Sequence, residues 1–184
     1  MENKKLSRRQ FMGKTMAGVG AVTVLAGCNT KISRWRFFTE PEAKVVELIT
    51  EQIIPADEDP GAIDAGVVNF IDKQLVGPYE RFQQDYRNGL RGVQATSQSM
   101  YGKPFENLPW DDQTAVLKAM ESGEVNKDSW PEISARQFFG MVRNHSLQGF
   151  YGSPRHGGNK DYVSYRMLEL DYPYIIGQNR YKNS

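Results

Sequence analysis

The sequence predicts an all-α fold: a single compact domain of about five helices with a glycine-rich C-terminal loop, preceded by a signal peptide. Three observations predict it. Apolar residues recur at three- and four-residue spacing in five separate stretches, which places them on one face of a helix. No stretch alternates apolar and polar residues and β-branched runs are absent, so nothing supports a sheet. Proline, glycine and Ser/Thr-x-x-Glu signatures punctuate the stretches where helices start and stop.

Thr39 with Glu42 three residues on forms a capping box, and Pro41 is tolerated in the first turn because its missing N–H has no partner there. The first helix therefore starts at Thr39. Val45, Leu48, Ile49 and Ile53 form its apolar face and Pro55 stops it. Residues 56–61 are a loop, and Asp57, Glu58 and Asp59 in it read as a solvated acidic turn because their spacing does not match a calcium loop. Ile63, Val67, Phe70, Ile71 and Leu75 give a second stripe, closed by Gly77 and Pro78. A third, longer helix runs from Tyr79 through Phe82, Tyr86, Leu90, Val93 and Met100 to Gly102. Gly89 and Gly92 inside it each cost about 1 kcal/mol relative to Ala, which points to close helix packing as their reason. The fourth helix spans Trp110 to Met120, with Asp111 and Asp112 at its positive N-terminal end and Ser122-Gly123 breaking it. Ser129 and Glu132 read as a second capping box, and Ile133, Phe138, Phe139, Val142 and Leu147 give the apolar face of the fifth helix.

Ahead of this domain stands Ser7-Arg8-Arg9-Gln10-Phe11-Met12-Gly13-Lys14, followed by a weakly apolar run. Paired arginines, an aromatic residue and a lysine in that order resemble a twin-arginine export signal, with Arg8, Arg9 and Phe11 as its determinants. The apolar run, residues 15–27, is too short for a membrane span, which needs about 20 residues, so residues 1–27 read as a signal peptide. Leu25-Ala26-Gly27-Cys28 resembles a lipobox, in which the Cys28 thiol carries the diacylglyceryl group. The mature chain would then start at Cys28, with residues 28–38 as a tether and residues 39–184 as the domain. Trp35, Phe37 and Phe38 in the tether either pack on the domain or touch the membrane interface. The competing reading is an ordinary charged n-region followed by a chance cysteine. On the first reading the protein is exported by the twin-arginine route and lipid-anchored at the periplasmic or outer face of a bacterial membrane.

The full chain carries 23 basic and 22 acidic residues. Removing Lys4, Lys5, Arg8, Arg9, Lys14 and Glu2 with the signal leaves 18 and 21, a net charge near −3. No clustered basic surface remains for a nucleic acid. Cys28 is the one cysteine, so no disulfide within the chain is possible and the fold rests on packing. That suits a protein folded in a reducing cytoplasm before export.

Residues 149–161 gather Gly149, Gly152, Gly157, Gly158 and Pro154 in a short segment flanked by aromatics. Glycines permit positive φ and close backbone approach, and Asn159 can bond back to its own loop. The order needed for a phosphate-binding loop, glycines running directly into Lys and Ser or Thr, is missing.

These residues carry a family resemblance. Asn144-His145-Ser146, Gly149-Phe150, Ser153-Pro154 and Gly157-Gly158-Asn159, with Ile53-Ile54-Pro55, Pro60-Gly61-Ala62 and Phe70-Ile71-Asp72 upstream, resemble the gluconate 2-dehydrogenase subunit 3 family from about Glu42 to Pro173. The sequence departs from the family pattern after the loop, where Tyr165 and Glu169-Leu170-Asp171-Tyr172-Pro173 stand and the family often has a tryptophan and a Gly-Pro or Pro-Gly turn. The resemblance implies a non-catalytic small subunit of a membrane-associated, FAD-dependent sugar or polyol dehydrogenase of the glucose-methanol-choline type, such as gluconate 2-dehydrogenase. It further implies a large flavoprotein partner that binds FAD, a multihaem cytochrome c carrying haem c, and no cofactor on this chain. The small subunit would support assembly, twin-arginine export and membrane attachment. Phe150, Tyr151, Pro154, Arg155, His156, Gly157, Gly158 and Asn159 are the expected partner-binding residues, joined by the aromatic tail Tyr162, Tyr165, Tyr172 and Tyr174.

The sequence shows no credible catalytic set. His145 and His156 are the only histidines and stand in no metal-ligand pattern. A zinc site from both, completed by Asp161, is conceivable; the plainer reading is that they hydrogen-bond and brace the loop. Ser153 lies in no nucleophile elbow, and C-x-x-C-H and G-x-G-x-x-G are missing. The alternative to a subunit is a free-standing exported lipoprotein that binds a small ligand or metal.

Overall fold

The structure is a computed structural model that describes residues 34–170. Arg8, Arg9, Phe11, Cys28, Tyr172 and Tyr174 lie outside the described residues. Six α-helices and no strand occur among those described: α1 Glu40–Ile53, α2 Val67–Leu75, α3 Gln83–Tyr101, α4 Trp110–Ser122, α5 Ala135–Tyr151 and the short α6 Val163–Met167. The all-α expectation holds, with α6 added to the five helices read from periodicity.

Every other helix packs on α5. Its buried Phe138, Val142 and Phe150 fill the centre of a core shared with Val46 and Ile49 of α1, Ile71 and Leu75 of α2, Tyr86 and Val93 of α3, and Val116 and Met120 of α4. Burying such a side chain contributes about 1.5–3 kcal/mol each, so this one helix ties together most of the apolar stabilisation. Gly89 and Gly92 explain how α3 reaches it. A Cβ on Gly89 would stand 2.0 Å from the Phe138 ring, and one on Gly92 would stand 2.6 Å from the Trp130 indole. Close packing is thus their reason, as the sequence suggested.

Three boundaries differ from the sequence reading, the third helix being α-helical only from Gln83, after a 3-10 turn at Glu80–Phe82, where the sequence placed its start at Tyr79. The second helix starts at Val67 rather than near Ile63, because residues 61–66 turn under the Glu51 carboxylate, which accepts the backbone N–H groups of Ala56 and Ile63 at 3.0 and 2.8 Å. Ile63 is exposed as a result. The second capping box is Ser134 with Gln137, not Ser129 with Glu132. Trp130 inserts beside α3, where its indole N–H donates to the Thr96 hydroxyl at 3.0 Å, and a residue before proline avoids the helical region, so the chain stays open until Ser134. Met100 and Leu147, expected on apolar faces, are both exposed.

Residues 34–38, the last part of the expected tether, are packed on the domain. Trp35 and Phe38 are buried. The backbone N–H groups of Arg36, Phe37 and Phe38 all donate to the buried Asp72 carboxylate of α2, at 2.8, 2.9 and 3.0 Å. Arg87 of α3 clamps the same segment from the other side, donating to the Phe37 carbonyl at 2.7 Å, pairing with Glu42 and lying over the Phe37 ring. The Thr39–Glu42 capping box that opens α1 follows directly.

Candidate functional site

The glycine-rich segment is where α5 ends and α6 begins, and Asn159 and several of its backbone groups fix that corner, while the Ser153 hydroxyl is buried without a partner. Helix α5 runs to Tyr151, and Gly149 near its end lets it press on Phe70: a Cβ there would sit 3.0 Å from the Phe70 ring. Two 3-10 turns follow, Pro154–His156 and Lys160–Tyr162. Asn159, fully buried, is the bracket between them. Its side-chain amide donates to the Gly152 carbonyl at 2.9 Å, and its Oδ1 accepts the Ser164 N–H at the start of α6 at 2.9 Å. Gly158 lies against the α5 backbone so closely that a Cβ would stand 2.2 Å from the Gly149 carbonyl oxygen, which leaves no room for any other residue.

The same corner is stitched to α2 and the turn before it. The Lys160 N–H donates to the Ala65 carbonyl at 3.0 Å, the Lys73 ammonium to the Arg155 carbonyl at 2.9 Å, and the Gln74 amide to the His156 carbonyl at 3.4 Å. These bonds hold a backbone that is locally unfavourable. Asn159, Asp161 and Tyr162 have φ of 44°, 55° and 59°, a left-handed region that costs an L-residue about 1–2 kcal/mol and suits Asn and Asp better than Tyr. An ordered loop with such geometry is over-determined by its surroundings.

The expected partner-binding residues therefore divide. Phe150, Gly158 and Asn159 are buried and serve the fold, and Gly157 is partly covered. Tyr151, Arg155 and His156 reach the surface, with Pro154 half-buried between them. Beside them lies an open groove of about 500 Å³ lined by Phe70, Leu147, Gln148, Tyr151, Gly152 and His156. Leu147 was read as a core position. It and Tyr151, one turn apart on α5, are instead 41% and 43% exposed. The signal for this was α5's own composition, since Phe138, Phe139, Met141, Val142, Leu147, Phe150 and Tyr151 are more large apolar residues than one buried face accommodates.

His145 is not part of the loop. It is buried in α5, shares a 3.0 Å hydrogen bond through Nδ1 with the fully buried Tyr86 hydroxyl, and stacks on the Tyr79 ring at 4.3 Å. Burial, with the nearby Arg81 charge, lowers its pKa to about 4, and burial likewise pushes Tyr86 well above its ordinary value. Both are therefore neutral near pH 7. Tyr79 in turn donates its hydroxyl to Gln148 at the groove. His156 accepts from its neighbour Arg155 at 3.0 Å on the exposed side. The two histidines thus hold separate positions, and among the described residues no group of three His, Cys, Asp or Glu is placed to hold a metal ion. The acidic turn is a self-contained local structure: the Asp59 N–H donates to the Asp57 carboxylate at 2.9 Å.

The model of the family described as gluconate 2-dehydrogenase subunit 3 matches residues 40–171, from the first residue of α1 to just past the loop and α6. No curated protein and no solved structure matches the chain.

Proposed function

From the premise that the chain belongs to the gluconate 2-dehydrogenase subunit 3 family, and so is a subunit of such a dehydrogenase, we propose that it is the small, non-catalytic partner that exports and anchors the catalytic flavoprotein. The observation that carries this reading is the extent of the family match, which takes in all six helices and the glycine-rich corner together. The site's chemistry agrees with it. Asn159 is bonded on both sides within the corner, where the Ser153 and Ser164 hydroxyls are buried without a partner, and His145, the buried histidine, is held neutral by burial and bonded to Tyr86, which leaves the outward-facing side chains as a surface for binding.

In this proposal the catalytic subunit binds FAD, as the family's flavoprotein partner would, and a cytochrome c subunit with haem c accepts the electrons. A flavoprotein closes around its cofactor in the cytoplasm and then has to cross the membrane folded. Arg8 and Arg9 of this chain would supply the address for both subunits, and acylated Cys28 would hold the complex on the membrane, where stable attachment takes more than one acyl chain.

The test is the double substitution Arg8→Lys and Arg9→Lys in the native host, which keeps the charge and removes the planar guanidinium groups. Dehydrogenase activity, read with an artificial electron acceptor, is expected to leave the membrane fraction and accumulate in the cytoplasm by at least tenfold. Unchanged activity in the membrane fraction would refute the export role.

A further inference from the structure

The groove between α2 and the C-terminal turn of α5 has an apolar floor, which Leu147 and Tyr151 leave exposed, and basic side chains beside one edge. Phe70, Leu147 and Tyr151 make the floor, with the Gln148 side chain set by its bond from Tyr79. His156 lines one edge; exposed Arg155 is joined to it through an Nε–H bond to the His156 ring at 3.0 Å, and the Lys73 ammonium donates to the Arg155 carbonyl. Neither Lys73 nor Arg155 has an acidic partner among the ion pairs of the described residues, which involve Arg34, Lys44, Arg87, Arg91 and Arg143. This is an unneutralised edge on a domain whose expected mature charge is acidic. It is also rigid, because Asn159, Gly158 and the α2 contacts fix the backbone that presents Arg155 and His156. A preorganised cationic edge beside an apolar floor loses little entropy on binding, and charge at the rim selects the partner's sign.

We infer that this groove receives a segment of the catalytic subunit in which a large apolar side chain is flanked by carboxylates. The apolar side chain lies between Leu147, Tyr151 and Phe70, and the carboxylates meet Arg155 and Lys73. The inference rests on the subunit reading above and adds to it the face and the chemistry of the contact. It also moves the contact away from the glycines: Gly157, Gly158 and Asn159 shape the edge from beneath, while Leu147, Tyr151 and Arg155 touch the partner.

The experiment replaces Leu147, and in a second strain Tyr151, with the photo-crosslinking residue p-benzoylphenylalanine in the full chain expressed in its native host, with Trp110 on α4 as an exposed control. After irradiation the adducts are sequenced by mass spectrometry. The expected result is capture of the flavoprotein from positions 147 and 151 but not from 110, through a peptide with Asp or Glu within a few residues of the linked apolar side chain. Arg155→Glu is expected to lower that yield at least fivefold, and raising the salt concentration to lower it further. An adduct with residues 171–184 of this chain, with a second copy of it or with lipid would overturn the inference, as would a flavoprotein peptide without acidic residues. Capture from Trp110 with positions 147 and 151 silent would overturn the groove and leave the subunit reading standing. If no flavoprotein co-purifies from any strain, the subunit reading fails and the inference fails with it.

Discussion

A buried histidine makes stability depend on pH in a window set by its two pKa values. His145 titrates near 6.5 in an unfolded chain and at about 4 in the fold. Between those values the unfolded state binds a proton that the folded state does not, so stability falls as pH drops from about 6.5 toward 4 and is unaffected by this residue above that range. Glu42 adds a loss at lower pH: burial pushes its pKa up, but hydrogen bonds from Arg87 and Thr39 outweigh that and hold it below its ordinary 4.5, so its contribution is lost as pH falls through that region. Thermal midpoints of the domain are expected to decline from pH 6.5 to 4.5; a flat profile there contradicts the burial assigned to His145. At Gly89 two effects oppose. Gly89→Ala gains about 1 kcal/mol of helix propensity, yet its Cβ would meet the Phe138 ring at 2.0 Å, and overpacking costs about 1–3 kcal/mol. Because the ring is fully buried and cannot swing aside, the clash wins. A lowered urea midpoint is expected, and a raised one would show that the α3–α5 approach is looser than described.

At the level of elements, the helices were legible in the sequence wherever an apolar stripe met a local stop signal. α1 and α4 follow this pattern: a capping box and Pro55 bound the first, and Trp110 and Gly123 the second. What could not be read was what distant side chains do to the chain between helices. Trp130 delays α5 because its indole fits beside Gly92, and Glu51 organises residues 56–63 from the preceding helix, and neither interaction leaves a periodic trace. The glycine-rich corner was legible as special, but its division into Asn159, Gly158 and Phe150 inside and Arg155, His156 and Tyr151 outside depends on the course of α5 through Gly149. Asp72 is the clearest case. In sequence it is one acid within a family-like triplet; in the fold it gathers three backbone N–H groups and docks residues 34–38 on α2. Asp72→Ala leaves those donors without their acceptor, at about 1–3 kcal/mol for each one that stays buried. A loss of at least ~2 kcal/mol is expected, with faster hydrogen exchange at Arg36, Phe37 and Phe38 and little change at α4. Unchanged exchange at those three amides would mean that the segment is not held by Asp72.

For the whole molecule, the helical domain packs around α5, and one end of that helix lines an open groove. The C-terminal turn of α5 contributes Phe150 to the core and Tyr151 to the surface one residue later, so packing of the core and position of the groove are tied to the same helical turn. That coupling suits a subunit that has to be folded before it can hold its partner. The central claim is that this chain lives in a complex with a flavin dehydrogenase, and isolation of the intact assembly from native membranes, followed by native mass spectrometry, tests it most directly. The account predicts a particle in which this chain, beginning at acylated Cys28, is present in fixed ratio with a flavin-containing subunit, and in which the flavin is reduced by the complex's sugar or polyol substrate. Recovery of the chain alone, without a flavoprotein and with residues 1–27 still attached, would contradict it.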